Sequence, residues 1–261
     1  MPTAYGTEIV TALSAFVASF LSGLLGIGGG VVLTPLLLYL PPALGIGALP
    51  VKIITGLTIV QAISGSVLGT SRHRSYGNVS LRLVLLMGPT GAAASLVGAL
   101  ISRDVDDRVL LGIFALLALV TAVMLLLPVE SQPGGTDDLH PNVPLAVGIS
   151  VVLGFLGGMV GIGGIATIIG SLVYLLRVPP RVAIGTSLGI GMFAAVAALI
   201  GKAATAQIDP PLATLVALVA LVASPLGAWL SIRTQPQVLM RILAAVVVIA
   251  ALRMAASAVF G

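Results

Sequence analysis

Ten stretches of this chain carry almost no charge, and their spacing constrains the fold more than any other feature. They fall at about 9–25, 31–40, 53–70, 83–101, 109–127, 143–160, 165–176, 182–201, 211–231 and 242–259. Eight are long enough to cross a hydrocarbon core of roughly 30 Å as helices, which takes about 20 apolar residues. Two, 31–40 and 165–176, are too short to do so. Each short run follows a glycine cluster, Gly26-Ile27-Gly28-Gly29-Gly30 and Gly161-Ile162-Gly163-Gly164. The runs are continuous and do not alternate, so a membrane β-barrel is excluded. The 261 residues are 58% hydrophobic and 8% charged, with a mean hydropathy of +1.20. A soluble domain carries roughly 25% charged residues, so a soluble enzyme and a disordered chain are both excluded. The fold expected is an all-α polytopic membrane protein.

The chain repeats. Gly26-Ile27-Gly28-Gly29 matches Gly161-Ile162-Gly163-Gly164, and the same register carries Leu37 onto Leu172, Tyr39 onto Tyr174 and Leu40 onto Leu175. Val51, Thr55 and Leu57 match Val182, Thr186 and Leu188, and Pro89-Thr90-Gly91-Ala92 resembles Pro225-Leu226-Gly227-Ala228. Residues 1–127 and 143–261 are thus read as two transmembrane repeats joined by a polar linker, 128–142. Each repeat holds a glycine-broken helix pair or re-entrant hairpin followed by three transmembrane helices. The first two segments return the chain to its starting side, and three more crossings make the total odd. The second repeat then enters from the opposite face, which makes the repeats inverted. On this topology Arg72, Arg74, Arg82, Arg177, Arg181, Arg233 and Arg241 share one face, and Lys52, Arg103, Arg108 and Lys202 the other. Seven against four favours the first face as cytoplasmic.

Twelve basic residues and a pI near 10.0 do not point to nucleic acid here, because the basic residues are scattered between apolar runs. There is no cysteine, and His73 and His140 lie in polar stretches, so thiolate metal centres and a buried haem have no ligands. Glu8, Asp104, Asp106, Asp107, Glu130, Asp137, Asp138 and Asp209 all sit in loops or at segment ends. A proton or sodium relay built on a carboxylate in mid-membrane has no candidate. Gly185-Thr186-Ser187-Leu188 has no general base nearby, and Gly26-Ile27-Gly28-Gly29 lacks the Lys-Ser/Thr of a phosphate-binding loop. No enzyme activity, cofactor or catalytic residue is expected.

Glycine at mid-membrane lets the backbone unwind and reach positive φ. Unwound backbone survives at that depth only inside protein or along a wet cavity. A short helix starting there presents free N–H groups and the positive end of its dipole, which suits an anion. The competing reading is close helix packing through small residues. In the third segment Thr55, Thr58, Gln61 and Ser64 offer hydroxyls and an amide, and Thr186 and Ser187 lie in its counterpart. They can donate to oxyanion oxygens or simply bond their own helix backbone. Gln61 is the costliest to leave idle in hydrocarbon. Tyr39 and Tyr174 read as interfacial anchors, Lys52 as an entrance charge or a snorkelling side chain, and Arg253 as deep in the last run.

Leu25-Gly26-Ile27-Gly28-Gly29-Gly30 with Thr34-Pro35-Leu36 resembles the signature of the TauE/SafE sulfite exporter family, as do Gly158-Met159-Val160-Gly161-Ile162-Gly163-Gly164 and Ala183-Ile184-Gly185-Thr186-Ser187-Leu188. The resemblance covers nearly the whole chain. It implies a multi-pass cell-membrane carrier exporting a small sulfur-containing anion such as sulfite or an organosulfonate. The partners implied are that anion and membrane lipid, with no nucleic acid and with a homodimer left open. The residues expected at the anion are Gly28, Gly29, Gly30, Thr34, Thr55, Gln61, Gly163, Gly164, Thr186 and Ser187. The second repeat departs at Ile169-Gly170, where the first has Thr34-Pro35. The alternatives are an anion channel of the same fold and a membrane scaffold whose glycines serve packing alone.

Overall fold

The computed structural model describes residues 4–25, 30–75, 78–126, 142–161, 165–231 and 248. Among these residues there are nine helices and no strand: α1 (Ala4–Leu25), α2 (Gly30–Ala43), α3 (Val51–Ser75), α4 (Leu81–Ile101), α5 (Asp107–Leu126), α6 (Val143–Val160), α7 (Ile165–Tyr174), α8 (Pro180–Ala204) and α9 (Pro210–Ser231). Six are long and apolar enough to cross a membrane. The short ones, α2 and α7, have 14 and 10 residues; α2 begins on Gly30, the last glycine of its cluster, and α7 on Ile165, the residue after the second. The tenth apolar run, 242–259, and the linker lie outside the described residues except for Val248 and Asn142.

Local chemistry sets the ends. Asn142 caps α6, accepting from the Leu145 N–H at 3.2 Å, and Pro144 in the first turn has no N–H to lose. Ser80 caps α4 through the Leu83 N–H and Asp209 caps α9 through the Leu212 N–H. At its other end α6 stops on Gly161, which is left-handed at φ +77° and donates to the Gly157 carbonyl at 2.9 Å.

The helices exchange partners between the halves. In one contact Gly23 of α1 lies on the Ser224 carbonyl of α9 and Gly227 on the Phe20 carbonyl; in the other Gly158 of α6 lies on the Ser95 carbonyl of α4 and Gly98 on the Phe155 carbonyl. A Cβ at any of the four would overlap backbone, so these helices touch main chain to main chain. The two contacts are copies of one another. Phe20 and Gly23 correspond to Phe155 and Gly158, and Ser95 and Gly98 to Ser224 and Gly227. The last correspondence differs from the one the sequence suggests, in which Gly91 matches Gly227. The caps agree with the structural register, since Ser80 and Asp209 stand the same distance apart as Ser95 and Ser224.

The apolar core follows the same exchange. One cluster joins Ala18, Leu33, Leu37, Ile54 and Leu57 of α1–α3 to Leu212 and Val216 of α9. Its copy joins Ile168, Leu172, Ala183 and Ile190 of α7 and α8 to Leu83 and Met87 of α4, with Ala146 of α6. Between them Ile59, Ala62, Ala99, Ala195 and Ala198 pack α3, α4 and α8 together. The α3–α8 crossing runs head to tail: Lys202 near the end of α8 reaches Thr55 near the start of α3. Outward-facing residues such as Ile9, Leu85, Leu116, Val152, Leu218 and Val222 are large, apolar and exposed, as a lipid-facing surface requires.

Candidate functional site

The glycines expected at the anion divide between what is described and what is not. Gly28, Gly29, Gly163 and Gly164 lie outside the described residues, as does Arg253. Gly30 is buried and opens α2. Gly161, one residue before the second break, shows what such a cluster does to the chain. Its hydrogen faces α3, and a Cβ there would overlap the Thr55 carbonyl oxygen and stand 2.6 Å from Thr58 Oγ1. The end of α6 at Gly161 is therefore pressed against α3 of the first half.

Buried polar groups without a protein partner have an uneven distribution. Among the described residues they are Thr11 Oγ1, Ser14 Oγ, Thr34 Oγ1, Gln61 Oε1 and Ser66 Oγ, all on α1, α2 and α3. Leaving a buried polar group unpaired costs about 1–3 kcal/mol each, and native proteins tolerate few of them. Gln61 is 2% exposed and its Nε2 lies 3.1 Å from Ser19 Oγ. A serine hydroxyl can donate or accept, and the amide can turn over to suit, so either its N–H or its C=O end is open to a guest. Thr34 is 1% exposed on the second turn of α2. Counted from the loop that joins them, the 14 residues of α2 rise about 20 Å and the ten steps from Val51 to Gln61 about 15 Å. Along their own helices the start of α2 and Gln61 thus both lie about three turns or more from the loop between α2 and α3.

The other expected hydroxyls are tied into the structure. Thr55 Oγ1 donates to the Lys52 carbonyl at 2.8 Å and accepts from Lys202 Nζ at 2.9 Å. Thr186 Oγ1 accepts from the Ser80 N–H at 3.0 Å, so it too bridges the halves. Ser187 Oγ donates to the Ile184 carbonyl at 2.9 Å, Thr58 Oγ1 to the Thr55 carbonyl at 2.8 Å and Ser64 Oγ to the Val60 carbonyl at 3.1 Å, all backward within their own helices. Tyr39 and Tyr174 are half-buried towards the ends of the short helices. Lys52 Nζ donates to the Arg103 carbonyl.

Lys202 is the group that sequence reasoning missed. The reading above puts it among the loop cations, but it is fully buried. Its ammonium donates to Thr55 Oγ1, Ser102 Oγ and Gln207 Oε1 at 2.9 Å each and to the Met159 carbonyl at 3.0 Å. Met159 stands two residues before Gly161, where α6 runs out of internal partners for its carbonyls. The cation thus sits at the negative end of a helix dipole. Among the described residues no group of three or more His, Asp or Glu side chains is placed to hold a metal ion.

A family model described as sulfite exporter TauE/SafE matches residues 11–254. A "Probable membrane transporter protein" of Xylella fastidiosa is 29% identical over 73% of this chain and 72% of its own length. YjnA of Bacillus subtilis, described in the same words, is 26% identical over 90% of this chain and 94% of its own. A similarly described protein of Methanocaldococcus jannaschii is 24% identical over 85% of each. No solved structure gives a significant match.

Proposed function

The chain belongs to the TauE/SafE sulfite exporter family, and from that membership we propose that it is an exporter of a small sulfur-containing anion, sulfite or an organosulfonate, working by alternating access. As a multi-pass membrane protein whose relatives are described as transporters, it has the setting this reading needs. The proposed site lies at the starts of α2 and α7, where Gly28, Gly29, Gly30, Gly163 and Gly164 offer backbone N–H groups and Thr34 and Gln61 offer side-chain partners. Thr55, Thr186 and Ser187 line the two central helices around it.

The observation that carries the reading is the set of unpaired buried polar groups on α1–α3. Gln61 and Thr34 are both almost fully buried, both lack a partner for at least one atom, and both lie on elements that converge on the start of α2. A desolvated oxyanion needs hydrogen-bond donors and no fixed acid beside it, and each such bond to a charged ligand is worth roughly 1.5–3 kcal/mol.

The proposed movement follows from two inverted repeats, residues 1–127 and 143–261, rocking on each other about the α3–α8 crossing. The antiparallel course of α3 and α8 and the exchanged contacts of α1 with α9 and of α6 with α4 support that symmetry. Thr55 with Lys202 and Thr186 with Ser80 then close opposite ends of the path. Purified protein in liposomes, tested with sulfite, sulfoacetate, thiosulfate, sulfate and chloride, should carry a sulfur anion in preference to chloride. Flux should rise when the same anion waits on the far side. Flux indifferent to the far side would mean a channel, and no anion flux at all would sink the proposal.

A further inference from the structure

The pocket around Lys202 satisfies hydrogen bonds but leaves a charge unanswered. An ammonium has three hydrogens, and four oxygens face it. Both hydroxyls among them direct their own protons elsewhere. Thr55 donates to the Lys52 carbonyl, and Ser102 to the Ala99 carbonyl at 2.7 Å or to Gln207 Oε1 at 3.1 Å. The Gln207 amide nitrogen donates to the Ala99 carbonyl at 3.2 Å and to Thr205 Oγ1 at 2.7 Å, which turns Oε1 to the lysine. Every group around Nζ presents a lone pair, so the pocket is built for a triple donor. None of the four is charged, and among the described residues no carboxylate bonds the lysine. Lys52 adds a second cation to the same corner, held on the carbonyl of Arg103, the residue after Ser102. A buried charge without a counter-ion is costly.

The same bonds tie the halves together at one end only. Thr55 and Ser102 belong to the first half; Met159, Lys202 and Gln207 belong to the second. They gather where α3 begins and where α4 and α8 end. Thr58 lies one turn deeper along α3, against Gly161. The corresponding tie at the other end, Ser80 to Thr186, uses a neutral backbone donor.

We propose that Lys202 is an anion-responsive latch. It holds the gate on the Lys52 face closed, and the gate opens when the oxygens of an oxyanion replace those of Thr55, Ser102 and Gln207 on its ammonium. The oxyanion brings the acceptors the pocket already supplies and also the negative charge it lacks. This rests on the carrier reading above and adds a residue and a trigger to it.

The chain contains no cysteine, so Thr58→Cys supplies a single thiol just inside the gate. Sealed vesicles of known sidedness receive a membrane-impermeant maleimide on the Lys52 face. The probes are methanesulfonate and sulfate, because sulfite itself adds to maleimides. Labelling should be slow without anion and at least about tenfold faster with either probe, with chloride as the control. In the Lys202→Met background it should be fast throughout and indifferent to the probes. Lys202→Arg keeps the donors and the charge and should stay slow and responsive, which serves if Lys202→Met does not fold. Slow labelling in a folded Lys202→Met variant, fast labelling in Lys202→Arg, or a parent that ignores both oxyanions would each overturn the latch. Flux assays on the same vesicles separate the two proposals. Anion exchange with a gate blind to anions removes the latch alone; a responsive gate without flux removes the carrier alone.

Discussion

Replacing Gly161 with alanine tests whether the break after α6 depends on a missing side chain. The residue sits at φ +77°, and holding an L-residue in the left-handed region costs roughly 1–2 kcal/mol. The added methyl would also overlap the Thr55 carbonyl and press on Thr58 Oγ1. Overpacking a fixed backbone costs about 1–3 kcal/mol, so the total is about 2–5 kcal/mol. That is a large fraction of the 5–15 kcal/mol that typically separates folded from unfolded chains. At about 2–4 °C per kcal/mol for a chain of this size, the melting temperature of purified Gly161→Ala should fall by at least about 4 °C. Gly148, in the same helix, is the control: it is exposed, and a Cβ there meets nothing within 4 Å. Gly148→Ala should be neutral or raise stability by up to about 1 kcal/mol. Adding Thr58→Ala to Gly161→Ala should recover only part of the loss, because the Thr55 carbonyl remains. Equal melting temperatures for Gly161→Ala and Gly148→Ala would refute the argument that Gly161 is packed against α3.

Three further outcomes are expected. Gln61→Leu should lower anion affinity at least about tenfold, equivalent to roughly 1.4 kcal/mol, while Ser64→Ala, which loses only a bond to its own helix, should leave affinity nearly unchanged in a binding titration. Gly23→Ala and Gly158→Ala should each cost about 1–3 kcal/mol and by similar amounts in thermal unfolding, because the two positions make the same contact in the two halves. Asp209→Ala should cost about 1 kcal/mol through the lost cap on α9, read in the same way.

Hydropathy and glycine punctuation made most of the bundle legible. The first nine apolar runs all coincide with helices, and the two short runs are α2 and α7. The cap residues are visible too, since Ser80, Asn142 and Asp209 stand directly before their helices or one residue from a proline. The Lys202 pocket was hidden because hydropathy treats a lysine two residues from a helix end as a loop charge. Its partners at 55 and 102 are 147 and 100 residues away, so no local pattern joins them. The register of α4 on α9 misled for a different reason. Pro-x-Gly recurs in both helices and catches the eye, yet the Ser-x-x-Gly spacing of 95/98 and 224/227 marks where backbones meet. The hydroxyls of Thr55 and Thr186 were legible as polar groups in spanning helices, but which neighbour takes them is decided by the exchange of helices between the halves.

That exchange also sets a timetable for synthesis. The face of α6 that carries Gly158 meets Ser95 of α4, already made some 60 residues earlier. The face of α1 that carries Gly23 must wait for Ser224, about 200 residues later. At roughly 5–20 residues per second, α1 spends on the order of 10–40 s in the bilayer before α9 exists. Through that interval its Gly23 face is left to lipid or whatever escort the insertion machinery provides. Nascent chains arrested after α8 should therefore let a photo-crosslinker at Gly23 reach lipid or an insertase, and chains extended past α9 should not; protection already present in the shorter chain would mean that another helix shields α1 first. The α6 face finds its partner already made, whereas α1 can pack on α2 and α3 early but must leave its Gly23 face open until α9 arrives.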